Sequence, residues 1–342
     1  MTTEQRFNLI KRNTEEILTE EELKELLQAK KEPVVYLGYA PTNRPHIGYM
    51  IPAMKIKDFV TAGLKVKILI ADIHAFLDNM KSPPELIGKR AEFYKTALRQ
   101  LYKIVGADVK KIEFVKGSDF QLDKKYTMDV YKLAAISTFD RCQHAASEVV
   151  KFGENPKLSG FLYPILQTLD EEYLKADIQY GGVDQRKIFG FARESHPKIN
   201  QPKRVAIMTP MLPGITGGKM SASEVSSKID LLDSPQDIEA KIKKAFCPEG
   251  ETKENSILPF MKYVIMVLKE DRGEMFLVER SEKFGGDIEY KNYQDLEKDF
   301  IDKKLHPEDL KKALAKELIL MLRPLREFFA DKQELIKKAY PE

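Results

Sequence analysis

Tryptophan is absent from the chain and cysteine is scarce. The two cysteines, Cys142 and Cys247, lie far apart in the 342 residues and fit neither a disulfide framework nor a zinc site, so we expect reduced thiols. Long apolar runs are missing too, because stretches such as VKILIA are much shorter than the roughly 20 residues that span a bilayer. These absences argue against a disulfide-rich secreted protein and against a membrane-spanning one.

Charge of one sign is not in large excess either. The formal net charge is +3 with 32% charged residues, which excludes a polycation of the histone type. A nucleic-acid partner must therefore meet a local basic surface. The opening residues MTTEQRFNLIKRNTEEI include acids and differ from a secretory or organellar leader, so we expect a cytoplasmic protein without a membrane partner.

Apolar strands alternate with amphipathic helices from residue 34 onwards. The first strand spans Val34–Tyr39, and a helix is expected from about Ile47 to Ala62, where apolar residues recur at helical spacing. The segments LKVKILIADI and KIEFVKGS are typical of buried strands, and the helix beginning at PPELIGK lies between them. A βαβαβ series of this kind predicts an α/β fold with a Rossmann-like doubly wound parallel sheet.

The pattern changes twice after these strands. Residues from about 119 to 175 are predicted to form a helical insertion between two halves of the sheet, which resumes at ADIQYGG and RVAIMTPML. Beyond Ser234 the alternation ends and amphipathic helices remain. We therefore predict a domain of residues 1–230 with the sheet, followed by an all-helical C-terminal domain of residues 231–342.

The segment PTNRPHIGYM, residues 41–50, connects the first strand to its helix. His46 precedes a helix N-terminus, where backbone N–H groups and the helix dipole favour an anion such as phosphate. Gly48 has no side chain, so a nucleotide can pack against the first helical turn. Because ligands of parallel α/β sheets bind at such junctions, the segment predicts a nucleotide site. A histidine that only caps the helix is the alternative.

A second segment, GITGGKMSASEVSSKID, surrounds Lys219 with glycines and small hydroxyls. The predicted loop covers residues 214–224. A loop of this composition can carry an ammonium group onto a polyphosphate and release it afterwards. A solvated surface loop is the alternative, which the histidine segment on the same predicted sheet disfavours.

A third group of polar residues occurs where a core helix would bury apolar ones. In FLYPILQTLDEEYL, Tyr163, Gln167 and Asp170 are spaced i, i+4, i+7 and share one helical face. Tyr36 in the first strand and Gln185 in GGVDQRK are expected to face the same crevice. A phenol, carboxamides and a carboxylate around one pocket suit a small zwitterion with a polar tip, whereas a solvated helix face is the alternative.

These segments together resemble the class I aminoacyl-tRNA synthetases, and within them the tyrosyl-tRNA synthetases of the archaeal and eukaryotic cytosolic type. PTNRPHIGY is similar to the HIGH signature, KMSAS to KMSKS, and YPILQTLDEEYL with GGVDQRKI to the tyrosine-pocket segments. EKFGGDIEY and LHPEDLKKALAKEL resemble the anticodon-binding domain of that family. The similarity runs from about residue 10 to the final helical segment.

The resemblance implies an enzyme that activates L-tyrosine with ATP, giving tyrosyl-adenylate and pyrophosphate. The tyrosyl group then passes to the 3′-terminal adenosine of tRNA(Tyr). Mg²⁺ is expected to arrive with ATP, without a dedicated cage of protein ligands. The same resemblance implies a homodimer formed through the inserted segment.

The resemblance also assigns residues to the amino-acid pocket. Tyr36 and Asp170 are expected to bind the phenol, while Tyr163, Gln167 and Gln185 bind the amino and carboxylate groups. Further pocket positions are Ala71, His74, Phe120 and Gln121.

ATP and tRNA contacts are assigned in the same way. The expected ATP contacts are Gly38, His46, Gly48, Asp184, Lys219 and Met220. The expected catalytic residues are His46, Gly48, Lys219, Ser221 and Ser223. Arg186 and Lys187 are expected at the first acceptor-stem pair, and the expected anticodon contacts are Phe284, His306 and Asp309.

The chain departs from the signatures in three places. Tyr49 replaces the second histidine of HIGH, and Ala222 replaces the second lysine of KMSKS, so only Lys219 brings a cation from that motif. The segment FDRCQHAASEVV is less basic than in many relatives.

Three other functions compete with this interpretation. A tryptophanyl-tRNA synthetase shares the sheet and signatures, and Asp170 with GGVDQRKI argues against it. A HIGH-type nucleotidyltransferase would not need the helical domain. An RNA-binding paralogue without catalysis would be expected to lose His46 or Lys219, and both are present.

Overall fold

Six strands pair into one sheet in the computed structural model, which describes residues 1–218 and 227–341. The strands are β1 (Glu16–Leu18), β2 (Val34–Tyr39), β3 (Lys65–Ile70), β4 (Ile112–Lys116), β5 (Ile178–Gly182) and β6 (Val205–Thr209). Their order is β1-β6-β5-β2-β3-β4, and all neighbours run parallel except β1, which is antiparallel to β6. The strand order reverses between β2 and β5, so the carboxyl ends of these two strands flank the crevice where such sheets bind ligands.

Helices precede or connect these strands. They are α1 (Thr3–Lys11), α2 (Glu20–Ala29), α3 (Met50–Thr61), α4 (Asp72–Leu77), α5 (Pro84–Ile104), α6 (Lys124–Ala135), α7 (Phe139–Ala146), α8 (Leu158–Tyr173) and α9 (Arg186–Ser195). Helices α6, α7 and α8 lie within the range 119–175, for which helices were predicted. All five residues of β6 and the first four of β5 are buried, as expected of parallel strands covered on both faces.

Helices dominate the chain after β6. They are α10 (Pro235–Lys243), α11 (Leu258–Phe260), α12 (Met266–Arg272), α13 (Tyr293–Ile301) and α14 (Pro307–Phe329), with a π-helical turn between α11 and α12. A two-stranded antiparallel hairpin, β7 (Phe276–Val278) and β8 (Ile288–Tyr290), lies among them. The amphipathic pattern predicted the helices, but it did not predict this hairpin or the edge strand β1.

The internal contacts divide the chain into two units. The first unit holds residues 1–43, 55–210 and those from Gln333 on, and the second unit holds residues 44–54 and 211–332 as far as they are described. The predicted boundary between residues 230 and 231 divides the chain by expected function and not by internal contacts, and it stays a prediction. None of the described helices is both long enough and apolar enough to cross a bilayer.

Helix α15 (Gln333–Ala339) follows the second unit in the chain but packs within the first, against α5. Arg90 of α5 donates from Nε to the carbonyl of Ala339 at 3.1 Å. Its guanidinium also lies 5.0 Å from the ring centroid of Tyr340, and that ring meets Phe93 edge to face. The first unit therefore includes residues from both sides of the second unit in sequence.

Candidate active site

Helix α8 brings the predicted polar face together. Tyr163 and Asp170 are buried and Gln167 is half-buried. The Tyr36 hydroxyl donates to the carbonyl of Gln167 at 3.3 Å, and Gln167 Nε2 donates to Gln185 Oε1 at 3.1 Å. Strand β2, helix α8 and the turn after β5 thus meet in the first unit at Tyr36, Gln167 and Gln185.

Asp170 is the most constrained group of this pocket. Its Oδ1 accepts hydrogen bonds from Gln121 Nε2 at 2.7 Å and from the Tyr126 hydroxyl at 2.8 Å. Its Oδ2 is buried and accepts no hydrogen bond from the described residues. Complete burial raises the pKa of Asp170 to about 7, although both hydrogen bonds act to lower it.

His74 lies beside the free oxygen of Asp170. Its Nε2 is 3.6 Å from Asp170 Oδ2, too far for a hydrogen bond, and no other described group bonds to it. Its ring meets that of Tyr163 edge to face, with centroids 4.7 Å apart. Burial lowers the pKa of His74 to about 3, so the imidazole is neutral at physiological pH. The pocket therefore presents two neighbouring polar atoms, Asp170 Oδ2 and His74 Nε2, that lack a hydrogen-bond partner among the described residues.

Apolar side chains close the pocket on the sheet side. Ala71 and Tyr36 belong to one buried cluster, against which the half-buried Phe120 packs. Ala71 directly follows β3, at the same edge as the end of β2. These predicted pocket positions thus lie together.

The turn after β5 carries two further predicted residues, Asp184 and Gln185, both half-buried. Gly181 allows that turn to fold back, because a Cβ atom there would lie 2.8 Å from Gln185 Cγ. Gly38, near the end of β2, is exposed, and a Cβ there would meet only side-chain atoms at 3.9 Å or more. The switch point of the sheet therefore offers an open backbone beside polar side chains.

His46 is held by the backbone of the second unit. It forms an isolated antiparallel bridge with Asp230, and Ile47 N–H donates to the carbonyl of Ile229 at 2.9 Å. Its Nδ1 accepts from Gly48 N–H at 3.1 Å, which leaves the ring hydrogen on Nε2. Burial, assisted by the charge of Lys228, lowers the pKa of His46 to about 4. His46 therefore both caps a helical turn and offers a neutral N–H donor.

Four predicted residues lie outside the described part of the chain. They are Lys219, Met220, Ser221 and Ser223. Tyr49, at the departure from the HIGH signature, packs its ring 5.1 Å from that of His46.

The predicted acceptor-stem residues are engaged with acids at the surface of the first unit. Arg186 is bidentate on Glu16 at 2.6 and 3.0 Å, and Lys187 bonds Glu148 at 2.8 Å. Surface ion pairs of this kind contribute little to stability, so a change of partner by either cation would cost little.

The predicted anticodon residues lie in the hairpin and at the start of α14. Phe284 is 63% exposed, in a turn that ends at Gly285 with φ +92°. His306 is exposed and caps α14, and Asp309 is half-buried in the first turn. Arg280 donates to the carbonyls of Gly286 and Lys304, both at 2.9 Å, and so ties the hairpin turn to the segment before α14.

Comparisons with known proteins agree with this geometry. The family model of class I tRNA synthetases (W and Y) matches residues 28–323. A tyrosine–tRNA ligase of Haloarcula marismortui is 45% identical over 342 residues, covering 100% of this chain and 99% of the relative. The chain belongs to the tyrosine–tRNA ligase family of class I synthetases.

Two further members of this family are similar over most of the chain. A cytoplasmic tyrosine–tRNA ligase of Xenopus laevis is 47% identical over 345 residues, covering 100% of this chain and 64% of the relative. The crystal structure of the Archaeoglobus fulgidus tyrosyl-tRNA synthetase with L-tyrosine is 40% identical with a TM-score of 0.88, covering 95% of this chain and 99% of that one.

In this tyrosine–tRNA ligase family member, sequence reasoning missed one residue that bonds to the predicted pocket and one that holds the hairpin turn. Tyr126 reaches Asp170 from 44 positions away, and no local pattern in KKYTMDVY marks it. Arg280 likewise acts across 24 positions on the carbonyl of Lys304.

Proposed function

We propose that this chain activates L-tyrosine with ATP and transfers it to tRNA(Tyr). The observation that carries the proposal is the free Oδ2 of Asp170 in a buried pocket of the first unit. A buried carboxylate oxygen without a donor is costly, and the hydroxyl of a bound phenol supplies one.

The phenol of tyrosine donates to Asp170 Oδ2 and accepts from Tyr36. The Tyr36 hydroxyl can turn from the carbonyl of Gln167, to which its present bond is long at 3.3 Å. Phenylalanine would leave both groups unpaired, a rule of selectivity for which tyrosyl-tRNA synthetases are themselves the usual example.

The other end of the substrate meets the side chains at the pocket mouth. The Gln167 and Gln185 amides already bond one another and can turn their remaining groups to an ammonium and a carboxylate. Tyr163 offers its hydroxyl from the same face of α8. Ala71, His74, Phe120 and Gln121 shape the pocket between these ends.

The ATP contacts are assigned by resemblance in each unit separately: to the switch point of the sheet in the first unit and to the HIGH-like segment in the second. Gly38 allows close approach to the strand end, and Asp184 accepts hydrogen bonds from the ribose. His46 Nε2–H and the N-terminus that Gly48 begins donate to phosphate oxygens. Lys219, Met220, Ser221 and Ser223 are assigned to ATP by resemblance.

Activation needs no general base, because the substrate carboxylate is already a nucleophile. It attacks the α-phosphorus, and pyrophosphate leaves as the tyrosyl-adenylate forms. A neutral His46 contributes directed hydrogen bonds to the developing phosphate charge, while Lys219 contributes positive charge. A ribose hydroxyl of the 3′-terminal adenosine then attacks the acyl carbon and AMP leaves.

Mg²⁺ enters bound to ATP as part of the substrate. No three His, Cys, Asp or Glu side chains within residues 1–218 and 227–341 are arranged to hold a metal ion. The ion neutralises phosphate charge when ATP is bound.

The RNA contacts come from surface side chains. Arg186 and Lys187 exchange their acidic partners for acceptor-stem phosphates or bases. Phe284 and His306 stack on an unpaired anticodon base while Asp309 accepts hydrogen bonds from it.

Separate observations support the proposed assembly and location. Tyr131, Ile136 and Phe139 of the inserted segment are exposed apolar groups, which supports a homodimer through that segment. The location is the cytoplasm, which the name of the Xenopus relative supports.

Pyrophosphate exchange into ATP tests the activity. We expect exchange with tyrosine and none with tryptophan, phenylalanine or no amino acid. Exchange with tryptophan in place of tyrosine would contradict the assignment of Asp170 and make the chain a tryptophan enzyme.

A further inference from the structure

Tyr126 is fully buried on α6, and the proposed function gives it no part. Its hydroxyl lies 2.8 Å from Asp170 Oδ1 and 2.9 Å from the carbonyl of Leu166. A phenol has one hydrogen, so it donates to one of these acceptors at a time. An ionised Asp170 is the stronger acceptor and takes that hydrogen.

The two donors to Asp170 act on the same oxygen. Gln121 Nε2 and the Tyr126 hydroxyl both reach Oδ1, at 2.7 and 2.8 Å, while Oδ2 receives no hydrogen bond within the described residues. Two bonds to one oxygen fix the rotation of the carboxyl group about its Cβ–Cγ bond. The second oxygen is therefore held in one direction, toward His74.

We propose that Tyr126 is a positioning residue for amino-acid recognition: together with Gln121 it holds Oδ1 of Asp170, so that Oδ2 is directed to the phenol of the substrate. This inference rests on the proposed function. Tyr126 itself does not touch the substrate, because its hydroxyl is occupied by Asp170 and Leu166.

The charge state of Asp170 supplies a readout that a packing role would not change. The titratable groups that face Asp170 are Tyr126 from α6, His74 and Asp72 from α4, Tyr36 from β2, and Glu171 beside it on α8. Of these, Asp72 and Glu171 disfavour the ionised carboxylate, and the Tyr126 hydroxyl stabilises it. Replacing Tyr126 by phenylalanine therefore favours protonation of Asp170.

The experiment compares Tyr126→Phe with Tyr173→Phe. The Tyr173 ring packs edge to face on that of Tyr126, 4.7 Å between centroids, but its hydroxyl donates to Asp129 at 2.9 Å. Both variants remove one hydroxyl from the same aromatic cluster, and only the first removes a donor to Asp170. Pyrophosphate exchange is measured between about pH 6 and pH 9 with varied tyrosine and varied ATP.

For Tyr126→Phe we expect the KM for tyrosine to rise about tenfold, the KM for ATP to stay unchanged, and the ratio of tyrosine to phenylalanine activation to fall. The acid limb of kcat/KM for tyrosine should move up by about one pH unit. Tyr173→Phe should match the unchanged chain in all four measurements.

An acid limb at the same pH in Tyr126→Phe and in the unchanged chain would overturn the inference, as would equal effects of the two variants. If Tyr126→Phe does not fold, Gln121→Met removes the other donor to the same oxygen and should move the limb in the same direction. Absence of tyrosine-dependent exchange in the unchanged chain would instead refute the proposed function, and with it this inference.

Discussion

Asp170 and Phe284, to which the proposed function gives the recognition of an aromatic ring, lie in opposite environments. Asp170 is fully buried, held by two donors and 3.6 Å from His74 Nε2, whereas Phe284 is 63% exposed in a two-glycine turn. The first side chain lies in a pocket that is already formed without a ligand, as the proposed binding of tyrosine requires. The second lies at the surface of the hairpin, where the proposed RNA partner can reach it.

The two side chains differ in when they lose their contact with water: Asp170 loses it on folding, and Phe284 would lose it only on binding. In the pocket, the fold has already desolvated the carboxylate, and under the proposed function the substrate supplies its missing hydrogen bond. At the hairpin, the exposed ring would gain contact area and stacking energy only when the proposed RNA base packs on it. Changes in the pocket should therefore affect selectivity strongly, and changes at the hairpin should affect RNA affinity moderately.

Asp170→Asn is expected to produce the largest effect. The amide keeps an oxygen for Gln121 and Tyr126, but the charged acceptor for the phenol is lost, so kcat/KM for tyrosine should fall about 100-fold. The KM for ATP should not change. Exchange kinetics check this, with Asp129→Asn on α6 as the control that leaves the pocket intact. Equal losses in kcat/KM for tyrosine and for ATP would contradict the prediction, because Asp170 would then affect the binding of both substrates and not the phenol alone.

Phe284→Ala should affect the binding of tRNA and not the amino-acid pocket. Loss of one stacked ring, typically ~1–3 kcal/mol, should raise the KM for tRNA about tenfold while exchange with tyrosine stays unchanged. Leu277→Ala, which truncates a part-exposed side chain in the same hairpin, is the control for a general loss of surface area. If both variants raise the KM for tRNA equally, Phe284 contributes only apolar contact area and does not stack on a base.

Arg280→Met tests whether the hairpin turn must be held in place before tRNA binds. The change removes two hydrogen bonds that tie the turn to the segment before α14, so the KM for tRNA should rise about threefold. Lys312→Met removes an equal charge from an exposed position of α14. Aminoacylation at varied tRNA concentration gives the KM for tRNA of both variants. An equal rise in KM for Lys312→Met would mean that Arg280 acts through its charge alone and not through these hydrogen bonds.

The smallest effect concerns stability. The folded pKa of Asp170 is about 7 against 3.8 normally, so between these values the folded chain holds a proton that the unfolded chain has lost. Stability contributed by this group therefore falls as pH rises from about 4 to 7. Asp170→Asn should melt about 2–4 °C above the unchanged chain at pH 8, with a smaller difference at pH 5. A difference that is the same at both pH values would contradict a raised pKa.

Sequence spacing located the parts of the pocket that lie on one element. Tyr163, Gln167 and Asp170 follow helical geometry, so their common face was predictable before any fold was known. The bonds that orient Asp170 were not, because Gln121 and Tyr126 reach it from 49 and 44 positions away. Tertiary contacts of that kind leave no period in the sequence.

Short strands escaped prediction for a different reason. Strand β1 and the two strands of the hairpin have three residues each, which is too few to establish an alternation. Backbone pairing stabilises them: β1 pairs with the edge of β6, and β7 pairs with β8. Longer parallel strands such as β2 and β6 were predictable because their apolar runs are continuous and most of their residues are buried.

The packing of α15 on α5 has a consequence for the order of events during synthesis. Residues from Gln333 on follow the second unit in the chain, yet they complete the first unit through Arg90, Phe93 and Tyr340. A ribosome must therefore make the whole second unit before α5 can be covered. Until then the nascent first unit exposes part of its α5 surface, which is a natural point of contact for a chaperone.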